Sequence, residues 1–284
     1  MERGPIIQRL PGDRLHLSHG PIDVVLRGWG GEAEVRRAYE AAAARFQTVL
    51  GELVAELTEL RRPIADNPHI ESPVGRRMAA AVRPFAPEFI TPMAAVAGSV
   101  ADELLAAMLG EADLAKAFVN DGGDIAVHVA PGEALAIGIA GDLSRGKLPA
   151  LNGAIALRAD DRIGGIASSG FHGRSFTFGI ADSVTVLAAS AAAADAAATL
   201  VANAVNLVSP AVERRPAREL DPDSDLGRRL VTSAVGPLSG EEIAQALANG
   251  KAVAERYLAR GLIRSAALLL REQTVVAGDT LLLS

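Results

Sequence analysis

The apolar positions of the chain change period along its length, and the changes mark the elements. Over 14–29, Leu15, Leu17, Ile22, Val24 and Leu26 alternate with polar residues around Ser18-His19-Gly20-Pro21, which predicts two strands joined by a turn. Over 32–60 the spacing becomes three and four. Val35, Tyr39, Ala42, Phe46, Val49, Leu53, Leu57 and Leu60 make one stripe, so a long helix is predicted, ended by Arg61-Arg62-Pro63. Pro63, Pro68, Pro73, Pro84, Pro87 and Pro92 predict a loop with short helical pieces. Residues 93–109 are small and apolar and predict a buried helix, in which Gly98 marks close packing.

The period then shortens. Residues 117–129, 134–140, 154–158 and 183–187 have strand character with glycine turns between them. Residues 190–207 are Ala-rich and helical, and 209–227 are polar and Pro-containing, which predicts a surface excursion reaching at most over 209–238. Ser239 as N-cap and Glu242 at the capping-box position open a helix to about Ala259, and 267–276 read as a final strand. Strands and helices come in blocks. This order predicts one α+β domain over 1–284, with a mixed or antiparallel sheet and helices in segregated layers.

Composition narrows the function. Hydrophobic residues are 49% of the chain, enough for a sizeable core, and the net charge of −6 argues against a nucleic-acid partner bound through a broad basic face. The chain has no Cys, which excludes disulfides, thiolate metal sites, cysteine nucleophiles and persulfide carriage. Aromatics are 4%, too few for several stacking platforms. No apolar run of about 18 residues is free of charge and turn residues, and the opening residues lack a signal-peptide core; no membrane partner and a cytoplasmic location are expected.

Three stretches carry candidate chemistry. In Val119-Asn120-Asp121-Gly122-Gly123-Asp124, short acceptors flank two glycines, which reads as a tight hairpin or as a turn whose amides meet a ligand, Asp124 fixing one or the other. In the run 164–174, Ser168, Ser169, Gly170, His172 and Arg174 read either as a surface loop or hairpin or as an anion cradle to which Arg174 adds charge. It is neither a P-loop nor a nucleophile elbow. In the third, Asp195, Thr199 and Asn203 share one helical face, with Asn206 close to it. A carboxylate and a hydroxyl one turn apart supply two hard ligands for Mg²⁺; alternatively Asp195 caps the helix and Thr199 bonds back to its own turn. The five histidines show no metal spacing, and the Asp221–Asp225 run lacks the glycine and the bidentate Glu of a calcium loop.

Taken in order, Val119-Asn-x-Gly-Gly-Asp124, Ala167-Ser-Ser-Gly170, Ser183-Val-Thr-Val186 and Ala194-Asp-x-x-x-Thr199 resemble the central signatures of the ApbE superfamily of FAD-dependent FMN transferases. Upstream, the stretch from Val96 to Asp102 resembles a further family segment. The whole chain looks most like a shorter, soluble branch of that superfamily. The resemblance implies a T-fold-like domain and a Mg²⁺-dependent split of FAD, with FMN passed to a Ser or Thr of a target protein. It implies Asp195 and Thr199 as metal ligands, with a backbone carbonyl near Val96 or Ala97 as a third. Residues 120–124 and Ser168–Gly170 would line the cleft for a small-molecule or nucleotide ligand. The chain departs from the pattern in two places: Ala97 stands where the family has Lys, and the twelve residues from Phe171 to Asp182 leave no room for its His-x-x-Asp-Pro-x-x-Gly loop. Three roles follow: a transferase-like enzyme, a ligand-binding protein without catalysis, or an accessory protein in sulfide assimilation and homocysteine formation. The Ala-rich helices can pack within one chain or across a homodimer.

Overall fold

A computed structural model describes residues 4–140, 151–173, 175–278 and 282–283. In chain order it holds β1 (Ile6–Leu10), β2 (Arg14–His19), β3 (Ile22–Trp29), α1 (Glu32–Ala55), α2 (Leu57–Leu60), α3 (Pro73–Val82), α4 (Val96–Glu111), β4 (Lys116–Asp121) and β5 (Asp124–Val129). These are followed by β6 (Ala134–Ala140), β7 (Leu151–Arg158), β8 (Gly165–Ser169), β9 (Ser183–Ala188), α5 (Ala191–Ala204), β10 (Val212–Pro216) and α6 (Ala217–Leu220). The last elements are β11 (Leu230–Val235), α7 (Gly240–Ala259), β12 (Ser265–Leu270), β13 (Gln273–Gly278) and β14 (Leu282–Leu283). The chain divides into two compact units, each assembled from separate stretches. The class is α+β with antiparallel pairing.

The first unit comprises Met1–Ala136, Ala156–Ala167 and Ala188–Ala196. Its sheet runs β1-β2-β3-β4-β5-β8, and every pairing is antiparallel. Strict alternation gives the sheet one buried face: Leu15 and Leu17, Ile22, Val24 and Leu26, then Ala117, Val119 and Asp121. That face packs on α1, whose stripe Ala38, Tyr39, Ala42, Phe46, Val49 and Leu53 is buried, and on Val100, Ala101, Leu104, Leu105 and Met108 of α4. Glu103 of α4 receives Arg45 of α1 at 2.8 Å and Arg77 of α3 at 3.1 Å, which ties the three helices together. The segment Pro92–Glu111 is long and apolar enough to cross a membrane by length and composition, but its core-facing residues are spent on this packing.

Two glycines let α5 begin where it does. A Cβ on Gly98 would lie 2.3 Å from the Ala191 carbonyl oxygen, and one on Gly165 would lie 2.1 Å from the Ala191 amide nitrogen. Asp102, buried on α4, accepts the Ala191 amide at 3.0 Å and the Ala192 amide at 2.9 Å. It thus caps a helix to which it does not belong.

The second unit comprises Ile137–Ile155, Ser168–Leu187 and Ala197–Ser284. It holds the antiparallel strands β9-β12-β13, with β9 buried throughout and α7 packed on β12 and β13. The capping box is present: Ser239 accepts the Glu242 amide, and Glu242 accepts the Ser239 amide.

Most expected elements are found within a few residues. The expected strand at 267–276 is instead the hairpin β12–β13, turning at Arg271 and Glu272 with φ of 47° and 67°. Such a turn favours Gly or Asn, so its sequence carries no turn signal. β1 and β8 were not expected; β1 is almost wholly exposed, and β8 is short and small-residued within the presumed loop. The expected surface excursion contains the hairpin β10–β11, irregular at Glu213 and Arg214.

Gly98→Ala is expected to destabilise the protein by about 1–3 kcal/mol, because the methyl meets backbone that cannot swing aside. Asp102→Ala should cost a similar ~1–3 kcal/mol through two buried amides left without an acceptor. Thermal unfolding of both variants checks this; unchanged midpoints would refute the close approach of α4 to Ala191.

Candidate metal and ligand site

The glycine-rich motif 120–124 is a two-residue hairpin. Gly122 and Gly123 have φ of 63° and 114°, which L side chains rarely adopt, and Asn120 Oδ1 accepts the Gly123 amide at 2.8 Å. The Gly123 amide is therefore engaged by the turn itself. The register sets Asp121 directly opposite Asp124. Two carboxylates facing across strands repel, and Asp121 Oδ1 accepts the Asp23 amide at 3.4 Å.

A third carboxylate adds to this repulsion. Asp195, just past the first turn of α5, accepts the amide of Gly98, in the first turn of α4, at 3.1 Å. Burial pushes its carboxyl well above the ordinary aspartate range. The charge of Asp124 pushes it further, with a smaller push from Asp121, against the opposing pull of the Gly98 amide. Asp195 as a whole residue keeps partial solvent exposure. Burial likewise raises Asp102, opposed by the two α5 amides it caps.

Such a corner has two ways to relieve its charge. It can hold a proton between Asp195 and Asp124, or accept a cation with oxygen ligands. The donor set is all hard oxygen, which fits Mg²⁺ and not a soft metal. Among the described residues, no three His, Asp or Glu side chains are arranged to cage a metal alone. A Mg²⁺ here would keep waters and ligand oxygens in its shell, which is its usual habit.

The remaining expected residues lie in the second unit. Ser168 Oγ is 2.8 Å from Thr185 Oγ1, and Ser169 is partly exposed. A Cβ on Gly170 would lie 2.5 Å from the Asp182 carbonyl oxygen, so this glycine serves packing. His172 is exposed, with Nε2 3.4 Å from Asp182 Oδ1. The Phe171 amide donates to the Ala181 carbonyl and the Gly173 amide to the Gly170 carbonyl, so neither is free to meet an anion. Arg174 lies outside the described residues. Thr199 is on α5, one turn past Asp195 and partly exposed. Asn203 and Asn206 hold the 177–178 segment: Asn203 accepts from Thr177 Oγ1 at 2.9 Å and from the Phe178 amide at 2.8 Å, and Asn206 Nδ2 donates to the Phe178 carbonyl at 2.7 Å.

A family model described as AbpE bacteria matches residues 7–277, nearly the whole chain. The chain belongs to this family. Its similar relatives include the UPF0280 protein of Methanopyrus kandleri, 34% identical over 162 residues, which cover 57% of this chain and 61% of that one. The UPF0280 protein of Methanothrix thermoacetophila is 40% identical over 134 residues, 47% of this chain and 52% of that one. These alignments span only about half to three-fifths of the relatives' length. The ApbE protein of Thermotoga maritima aligns in structure over 97% of this chain and 96% of its own, at 12% identity and a TM-score of 0.48.

Within this AbpE-family chain, sequence reasoning singled out Asp195 and Asp124 but did not give Asp102 or Asp121 a role. The available signal was a lone Asp in an otherwise apolar helix, since a buried carboxylate must find donors. The amide partner of Asp195, Gly98, is a backbone group and has no sequence signature.

The raised Asp195 carboxyl fixes a pH dependence. A carboxyl raised in the folded state adds stability that is fully present below the ordinary aspartate range and is lost as pH climbs through the raised value. Glu52 and Glu103 are partly buried but held low by Arg45, joined at Glu103 by Arg77, and give slopes of the opposite sign; the readout is therefore the wild-type minus variant difference. In EDTA, Asp195→Asn, whose side-chain oxygen can still accept the Gly98 amide, should unfold at a higher temperature than wild type near neutral pH. That advantage should shrink toward about pH 4. An advantage independent of pH would refute the buried-charge account.

Proposed function

We propose that this chain binds FAD or a related diphosphate nucleotide together with Mg²⁺, the cation being held at Asp195, and that it acts as an FMN-transferase-like enzyme. The observation that carries this reading is the Asp195 carboxylate, aimed by the Gly98 amide and acted on by the charges of Asp124 and Asp121, an all-oxygen donor set that suits a hard cation completed by water and ligand oxygens. Membership of the AbpE family supports it. When bound, Mg²⁺ supplies charge neutralisation for a diphosphate. The chain's own residues do the rest. Asp195 fixes the cation's place on α5, and the Gly98 amide aims the Asp195 carboxylate. The Asp121–Asp124 pair supplies further negative charge on the same side.

A second reading is favoured by one sequence fact. The short 171–182 segment lacks the family's His-x-x-Asp-Pro-x-x-Gly loop, which fits a protein that binds the ligand without turning it over.

Titration with FAD, followed by flavin fluorescence with and without Mg²⁺, separates these readings. The proposal expects saturable binding strengthened by about tenfold or more with Mg²⁺, a gain lost in Asp195→Ala, plus slow release of AMP. Binding without turnover supports the second reading. No binding at high micromolar FAD, or a Mg²⁺ effect that survives Asp195→Ala, overturns both.

A further inference from the structure

A cleft of about 450 Å³ in the first unit lies outside everything described above. Its walls carry Arg9 of β1, Asp13, Arg27 and Trp29 of β3, and Glu32 and Arg36 of α1. Its volume falls in the range of small-molecule sites. It sits at the Trp29–Lys116 end of the β3–β4 pair, whereas Val24 pairs with Asp121 at the acidic end. Five residues of strand separate those ends, roughly 16 Å at ~3.3 Å per residue.

The arginines are oriented but not spent. The Arg27 guanidinium lies over the Trp29 ring, 4.4 Å from its centroid, and Arg9 lies over Tyr39 at 5.7 Å. Stacking uses the flat face of a guanidinium and leaves its in-plane N–H groups free to donate. Arg27 Nε is buried with no hydrogen-bond partner. Its one acidic neighbour, Asp13, is 4.0 Å away with a side chain 83% exposed, a pairing that contributes little. Among the described residues, Arg9 and Arg36 make no ion pair. Three guanidinium groups against two exposed carboxylates leave the walls net positive, in a chain whose net charge is −6.

We propose that this cleft binds a small molecule bearing a multiply charged oxyanion, a phosphate or diphosphate group, through Arg9, Arg27 and Arg36, with Trp29 forming the wall beside it. Fork-shaped donors held by aromatic faces match the oxygen edge of such a group. The inference does not depend on the Mg²⁺ corner.

Trp29 is the only tryptophan in the chain, so its emission reports on this cleft alone. The probe is pyrophosphate, titrated in EDTA to keep Mg²⁺ away, against sodium chloride at matched ionic strength. The proposal expects a saturable change in Trp29 emission. Arg9→Gln and Arg36→Gln should each weaken it about tenfold or more while unfolding at the wild-type temperature, and Asp195→Asn should leave it unchanged. No change up to tens of millimolar, a change that sodium chloride reproduces, or wild-type affinity in both arginine variants overturns it. If an arginine variant unfolds early, Arg36→Lys replaces it. That variant keeps the charge but loses the fork, and unweakened binding there likewise overturns the proposal.

Discussion

The α4–α5 crossing sets the geometry of the first unit. Each helix lends a carboxylate to the other's opening turn: Asp102 of α4 takes the Ala191 and Ala192 amides, and Asp195 of α5 takes the Gly98 amide. A helix opening leaves amides without intrahelical partners, and the end of the dipole there favours negative charge. Two such ends brought together would repel. Exchanging carboxylates satisfies both, and it works only because Gly98 and Gly165 let backbone meet backbone at Ala191. Replacing either glycine would separate the helices and withdraw Asp195 from its amide. The site and the packing therefore share one set of residues.

The same exchange creates the chemistry. Asp102 has two amides for its charge and lies within the core. Asp195 has one amide, and it faces Asp124 and Asp121 at the end of the β4–β5 hairpin. Burial, with the charge of Asp124 and to a lesser degree of Asp121, raises the Asp195 carboxyl above the ordinary aspartate range. A purely structural capping carboxylate would be better served without Asp124 opposite Asp121, since apolar residues there would remove the repulsion. That an acidic pair sits at this turn, beside the partly exposed Asp195, is the strongest argument that the corner is built for a ligand.

Much of this was legible in the sequence. Periodicity located β2, β3 and α1, each with one apolar face, whereas small apolar composition located α4 and α5 and a capping box located α7. The order of short motifs pointed to the family and to Asp195 and Asp124. What sequence could not show were groups whose role is relational. The Gly98 amide carries no side-chain signal, and Asp102 reads as one acid in an apolar helix. The β12–β13 turn at Arg271 and Glu272 uses residues that disfavour its backbone conformation, so two strands looked like one. In the run 164–174, the strand β8 was hidden because Gly165 is chosen for close approach and not for strand propensity. Asn203 and Asn206 stood out only as polar groups near the Asp195–Thr199 face of an apolar helix, and they are held by the 177–178 backbone, the outcome expected when partly buried amides find main-chain partners first.

The first unit ends up with charge sorted along β3 and β4. The acidic corner lies where Val24 meets Asp121, and the arginine cleft lies where Trp29 meets Lys116. The roughly 16 Å between them exceeds a Debye length of ~8 Å at physiological salt, so the two ends act nearly independently in solution. Placing them together would neutralise both: the arginines would satisfy the aspartates, and neither would have a reason to bind anything. Separation by the length of a strand keeps the arginines of one end from pairing with the aspartates of the other. A fold selected only for stability has no cause to hold three guanidinium groups away from the carboxylates that would pair with them.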